Sequence, residues 1–284
     1  MAGPADVWVL GRAYEQYVGR WSRLVAGEFL AWLGVDDGAA WLDVGCGTGA
    51  LSQAVLDAAG PSVVVGIDPS AGFLTDARTR SGAGGARFAA GDAGEQLGGG
   101  RARFVAADAR ALPFADARFD VVVSGLVLNF VPDPARAVRE MSRVARAGGR
   151  VAAYVWDYAG RMELIRRFWD AAAALDPAAA QLAEGLRFEL CQPEPLTRLF
   201  ETAGLADITM RPIEVPTRFQ DFDDYWTPFL GGQGPAPSYT MSLEEPRRTA
   251  LREALRQRLP LAEDGSIRLV ARAWAVAGSV TPAT

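Results

Sequence analysis

Three aspartates stand where a predicted strand gives way to a loop. They are Asp43 in "WLDVGCGTGA" (41–50), Asp68 at the end of "SVVVGID" (62–68) and Asp108 at the end of "ARFVAADA" (102–109). After the first, Gly45, Gly47 and Gly49 alternate through a turn that feeds a helix, a pattern that brings backbone N–H groups close to a ligand. The loop also satisfies the dinucleotide fingerprint, as Gly45-x-Gly47-x-x-Ala50, so it does not choose the ligand alone. The acids do. A carboxylate inside a buried strand is costly unless it finds donors; Asp43 can hold the loop N–H groups or a cationic ligand end, and it repels a pyrophosphate. Asp68 is placed to accept from both hydroxyls of a ribose, and Asp108 from an adenine amino group. Each alone could be a helix N-cap, but the three together, with no Arg or Lys in the loop, describe a positively charged nucleoside better than a nucleotide. A nicotinamide oxidoreductase is disfavoured.

The rest of the composition narrows the chemistry. The 284 residues contain no histidine and no lysine, which removes a histidine triad, a histidine general base, a histidine metal site and a Schiff-base lysine. Cys46 and Cys191 form neither a disulfide framework nor a zinc pattern, and Cys46 reads as a small filler within the loop. The net charge of −5 argues against a nucleic-acid partner. No apolar run approaches the length of a membrane helix. The start "MAGPADVWVLGR" lacks the basic and apolar regions of a secretory signal, so a cytoplasmic location is expected.

The elements that must position these residues follow from hydrophobic periodicity. Apolar positions 14, 17, 18, 21, 24, 25, 29 and 32 predict an amphipathic helix before the first strand. Strands at 41–44, 62–68, 102–109, 119–125 and 150–157 alternate with helices, the last of them at 134–147 and stopped by Gly148-Gly149, which predicts a parallel sheet with helices on both faces. Two later strands, 206–218 and 266–277, read as an antiparallel edge. Segments 157–190 and 219–264 interrupt the pattern, carry Trp169, Tyr225, Trp226 and Phe229, and read as helical lid insertions into a single domain. Residues 81–101 read as a glycine-rich inserted loop. Within it "ARFAAGDA" (86–93) repeats "ARFVAADA" (102–109) at six of eight positions, yet only the second copy leads directly into strand four. The expected strand-three acid is therefore Asp108 and not Asp92.

Taken together, "LDVGCGTG", "GIDPS", "FVAADARALPFADARFDVVVSG" and "LNFVPDPARAVREMSRVARAGGRV" resemble the class I S-adenosylmethionine-dependent methyltransferases, especially the small-molecule type related to the ubiquinone/menaquinone C-methyltransferases. The resemblance covers about residues 12–157. It implies an α/β, Rossmann-like, mostly parallel sheet of seven strands with the last antiparallel. It also implies S-adenosylmethionine at the carboxyl ends of strands one to four, in contact with Asp43, Gly45, Gly47, Thr48, Gly49, Asp68, Pro69, Asp108, Ala109, Ser124 and Gly125. "YEQYVGRWSR" is similar to the helix that closes on the methionine end, making Tyr14, Tyr17 and Arg20 candidates. Many relatives carry a histidine pair just before "VPDP", where this chain has Asn129 and Phe130. The expected activity is methyl transfer to an O, N or C nucleophile of a small molecule, mainly by positioning. Asn129 is expected to orient the acceptor, and Asp157 and Tyr158, at the mouth of strand five, are base candidates. The alternative is a non-methylating cyclase or cofactor-binding module on the same fold.

Overall fold

In the computed structural model the described residues are 15–82, 101–232 and 234–281. A π-helical turn, Glu15–Gly19, leads into α1 (Arg20–Leu33), and β1 (Ala40–Val44), α2 (Ala50–Ala58), β2 (Val63–Asp68) and α3 (Ala71–Ser81) follow. After β3 (Ala102–Ala106) come β4 (Phe119–Gly125), α4 (Pro134–Val144) and β5 (Ala145–Trp156). The remainder is α5 (Glu163–Leu175), α6 (Glu184–Arg187), α7 (Pro193–Thr202), β6 (Ala206–Phe219), α8 (Phe222–Trp226), α9 (Pro235–Ser242), α10 (Glu245–Arg258) and β7 (Ile267–Ser279). The strands form one seven-stranded sheet in the order β3-β2-β1-β4-β5-β7-β6.

β1 pairs in parallel with β2, Asp43 opposite Gly66, and with β4, Asp43 opposite Val123. The central strands are near-continuous Val, Leu and Ile runs because helices cover both faces, and β2 is buried along its whole length. α4 shows how sequence sets a helix: Asp133 caps it by accepting from Arg136 N at 2.9 Å, Pro134 opens it, and Ala137, Val138, Met141 and Val144 bury one face.

Three boundaries differ from the expectation. α4 ends at Val144 and β5 starts at Ala145, because Gly148 N donates to Val280 O and Val280 N to Gly149 O, drawing the glycine pair into antiparallel pairing beyond the end of β7. β3 stops at Ala106, so Asp108 sits in the turn beyond the strand. The opening helix is broken, with π-helical geometry over 15–19. The copy at 86–93, with Asp92, and Tyr14 lie outside the described residues.

Contacts divide the chain into two compact units. One comprises 22–155, 193–213 and 274–284. The other comprises the chain up to Trp21, Trp156–Gln192 and Glu214–Ala273, and so takes in both segments that read as insertions.

Candidate active site

In the first unit the glycine loop is pinned from below. Gly45 N and Cys46 N both donate to Ile67 O, at 2.8 and 2.9 Å, and Gly49 N closes the turn on Cys46 O. Gly45 has φ +74, and a Cβ there would overlap Val127; Gly47 has φ +53, and a Cβ there would meet nothing within 4 Å. The loop thus packs on one side and opens on the other. Cys46 fills a cluster with Leu74, Ala77 and Phe104, and burial pushes its thiol pKa up.

The carboxylates behave differently from one another. Asp43 is 1 % exposed, and its Oδ2 accepts from Ser52 Oγ at 2.7 Å while Oδ1 has no partner. Burial raises its pKa to about 7, against the pull of the Ser52 hydrogen bond, and the charge of Asp68 adds to the rise. Asp68 ties two loops together, accepting from Gly47 N at 3.1 Å and Ser70 N at 2.8 Å, and each oxygen keeps lone-pair capacity for a further donor. Its pKa is also raised by burial. Asp108 is exposed and engaged by Arg110, with Nη2 at 2.6 Å and Nε at 3.0 Å, which lowers its pKa to about 2.

The remaining first-unit candidates are mixed. Ser124 Oγ donates to Val44 O at 2.8 Å, and a Cβ on Gly125 would lie 2.6 Å from the Tyr154 hydroxyl, so both serve the packing of β4. Thr48 O accepts from Arg80 Nε, Ala109 is buried and Pro69 is exposed. Asn129, in the 3₁₀ turn Leu128–Phe130, has a buried Nδ2 without a partner. An orphan acceptor on Asp43, an orphan donor on Asn129, spare capacity on Asp68 and open space over Gly47 fit a ligand that carries hydroxyls and positive charge.

In the second unit, Arg20 pairs with Asp224 at 3.0 Å and lies over the rings of Trp21 and Phe219, 4.4 and 4.7 Å from their centroids. Asp157 is saturated: its oxygens accept from Gly160 N, Arg161 N and the Arg272 guanidinium at 2.6 to 3.0 Å. That arrangement anchors the turn after β5. Tyr158 packs its ring 5.9 Å from that of Phe188, and Tyr17 presents its ring edge to Phe229 at 5.4 Å. Trp226 and Phe229 are 5 % and 0 % exposed.

One group escaped the sequence reading. Glu184 is 2 % exposed and accepts the indole N–H of Trp169. It sits in "AEGLR", with no motif around it; the local signal is the glycine that follows, since a Cβ on Gly185 would lie 2.9 Å from Ala159 Cα.

Comparison with known proteins bears on the family. The family described as "Methyltransferase domain" matches residues 42–153. A malonyl-[acyl-carrier protein] O-methyltransferase of Pseudescherichia vulneris is 31% identical over 212 residues, covering 72% of this chain and 76% of that protein. A demethylmenaquinone methyltransferase of Roseiflexus castenholzii is 33% identical over 184 residues, covering 60% and 69%. Among solved structures, the YcgJ protein of Bacillus subtilis superposes with a TM-score of 0.57 at 17% identity, covering 92% of this chain and 99% of that one. Phosphoethanolamine N-methyltransferase 2 of Haemonchus contortus, in complex with S-adenosyl-L-methionine, gives 0.55 at 16%, covering 98% and 58%. The two structural likenesses speak to the fold, and the sequence relatives to descent: the chain belongs to the class I S-adenosylmethionine-dependent methyltransferases.

Proposed function

We propose that this methyltransferase acts on a small-molecule acceptor through an O, N or C nucleophile, and that the first unit holds the cofactor. The observation that carries the cofactor half is the orphan Asp43 Oδ1 beneath a loop whose Gly47 faces open space. S-adenosylmethionine supplies an activated methyl group on a sulfonium. Asp68 accepts from its ribose hydroxyls, Asp108 from its adenine amino group, and ionised Asp43 favours its positive end through the loop. Asp108 must share its carboxylate with Arg110. Asn129 offers its free Nδ2–H as the orienting donor. Asp157 holds the turn that carries Tyr158, since its oxygens are already bound.

The two sequence relatives are named for acceptors as unlike as malonyl-[acyl-carrier protein] and demethylmenaquinone, so kinship alone does not fix the acceptor. In the second unit the buried rings of Phe168, Phe229, Tyr225 and Tyr17 pack on one another at centroid distances of 4.5 to 5.5 Å, an aromatic core.

The test supplies methyl-labelled S-adenosylmethionine with panels of quinols, phenols, amines and carboxylic acids. Expected are a labelled product and one equivalent of S-adenosylhomocysteine per methyl transferred. Tight cofactor binding without transfer to any panel member would support the binding-module alternative instead.

A further inference from the structure

Within the second unit, the end of α5, the turn after α9 and the first half of α10 line a half-open cavity of about 330 Å³. That volume lies at the small end of ligand sites. None of its lining residues is a candidate for holding the cofactor. One wall comes from each of the two segments that interrupt the sheet pattern.

The walls are set by local structure. Arg247, Ala250 and Leu251 share one face of α10 through their three- and four-residue spacing. Arg248 donates to Leu243 O at 2.7 Å and to Thr240 O at 3.3 Å, which fixes the turn between α9 and α10. Asp176 accepts from Ala178 N at 3.0 Å, which fixes the end of α5 against the 3₁₀ turn Pro177–Leu182. The Tyr239 ring is seated on Trp169 and Phe168, 5.4 and 6.3 Å away between centroids. Leu251 is buried, and Leu175 is exposed at the rim.

Three polar groups on this otherwise apolar lining have unused capacity. Among the described residues, neither the Arg247 guanidinium nor the Tyr239 hydroxyl makes a hydrogen bond or an ion pair. Asp176 commits one oxygen to Ala178 N and keeps the other. Asp176 and Arg247 are not paired with each other, yet the Tyr239 hydroxyl lies in the field of both: burial raises its pKa, Asp176 adds to the rise and Arg247 opposes it. Glu245, at the start of α10, is engaged by Arg248 at 3.3 Å. Opposite charges that line one small cavity without neutralising each other are complementary to a ligand that carries both charges itself.

We propose that this cavity is a second ligand site, for an apolar α-amino acid. Its carboxylate meets Arg247 and the Tyr239 hydroxyl, its ammonium meets Asp176, and its side chain lies against Leu175, Leu243 and Leu251. The occupant bridges both inserted segments, so it stabilises the second unit by mass action.

Calorimetric titration of the full chain, with no methyl donor present, tests the site with four probes. They are L-leucine, N-acetyl-L-leucine, which lacks the ammonium, isopentylamine, which lacks the carboxylate, and glycine, which lacks the apolar body. Leucine is expected to bind saturably, and each of the other three about five- to tenfold more weakly. Arg247→Gln should weaken leucine and N-acetyl-leucine and leave the amine unchanged. Asp176→Asn, which keeps an acceptor for Ala178 N, should weaken leucine and the amine and leave N-acetyl-leucine unchanged. Ala250→Trp, at an exposed position, should fill the cavity and abolish binding. Peptide-resolved hydrogen exchange should show leucine adding protection over 170–177 and 239–251. No saturable binding of leucine, or binding that survives Ala250→Trp or both charge variants unchanged, overturns the proposal. N-acetyl-leucine bound as tightly as leucine overturns it in favour of a site for a simple apolar acid. Because neither methyl donor nor acceptor enters the titration, failure of the acceptor screen would count against the functional reading alone.

Discussion

Asp43 carries a carboxyl group where water barely reaches, and that has a measurable pH signature. Its pKa is raised to about 7 by burial, whereas in the unfolded chain it ionises near pH 4. Between those values the folded protein holds a proton that the unfolded chain has lost, so this contribution to stability falls as pH rises from about 4 to about 7 and is level above. The displacement of about three units corresponds to roughly 4 kcal/mol, and Asp68, also raised by burial, works in the same direction. Asp108 and Glu140 have their pKa lowered by Arg110 and Arg143; their stabilisation is lost only as pH falls below the ordinary carboxylate range, and is flat here. Asp43→Asn keeps an acceptor for Ser52 and removes the titration. Urea denaturation should show the wild type losing stability between about pH 4 and 7 and the variant losing less, by a few kcal/mol; parallel curves would show that Asp43 does not titrate in this window. The ionised form is the one that suits a sulfonium ligand, so wild-type affinity for S-adenosylmethionine should rise through pH 7, and that of the variant should be weaker and flat.

At the scale of the element, the glycine loop separates folding from binding by one residue of spacing. Gly45 and Gly47 both lie in the left-handed region, where any side chain costs about 1–2 kcal/mol. Gly45 faces Val127 and Gly47 faces open space. Gly45→Ala should therefore lower thermal stability sharply, while Gly47→Ala should cost little more than the backbone strain and lose most cofactor affinity. Differential scanning calorimetry with a binding titration separates the two, and equal effects in both variants would mean that the loop packs on both sides. Such elements were readable in advance because their signals are local: short apolar runs gave β1, β2 and β4, and the Asp133-Pro134 start gave α4. The boundaries that moved were set by partners distant in the chain. Gly148-Gly149 looks like a helix stop, but pairing with Val280 makes it strand. Asp108 looks like a strand end, but the Arg110 turn pulls it beyond β3.

The whole molecule was the least legible scale, for the same physical reason. The acids and glycines of the cofactor half lie in motifs of a few residues, so they could be read one after another. Glu184 acquires meaning only when Trp169 and the Tyr158 turn are brought to it, and neither spacing nor composition announces that meeting. The division into two units, each assembled from three stretches of chain, likewise rests on long-range packing. It has a consequence for Trp226, which lies in a segment that reads from sequence as a lid insertion. The structure leaves it 5 % exposed, 6.1 Å from Phe229 between ring centroids, next to a fully buried Tyr225. Truncating such a residue costs about 3–5 kcal/mol. Local stability within one protein can differ between cooperative segments, so in Trp226→Ala the loss should be concentrated in 156–192 and 214–273. Hydrogen exchange resolved by peptide should show protection falling there while β1, β2 and β4 keep theirs, and S-adenosylmethionine affinity should change by no more than a few fold. A uniform loss along the chain would show instead that the two units unfold as one cooperative block, and Trp226 would then be part of a core common to the whole molecule.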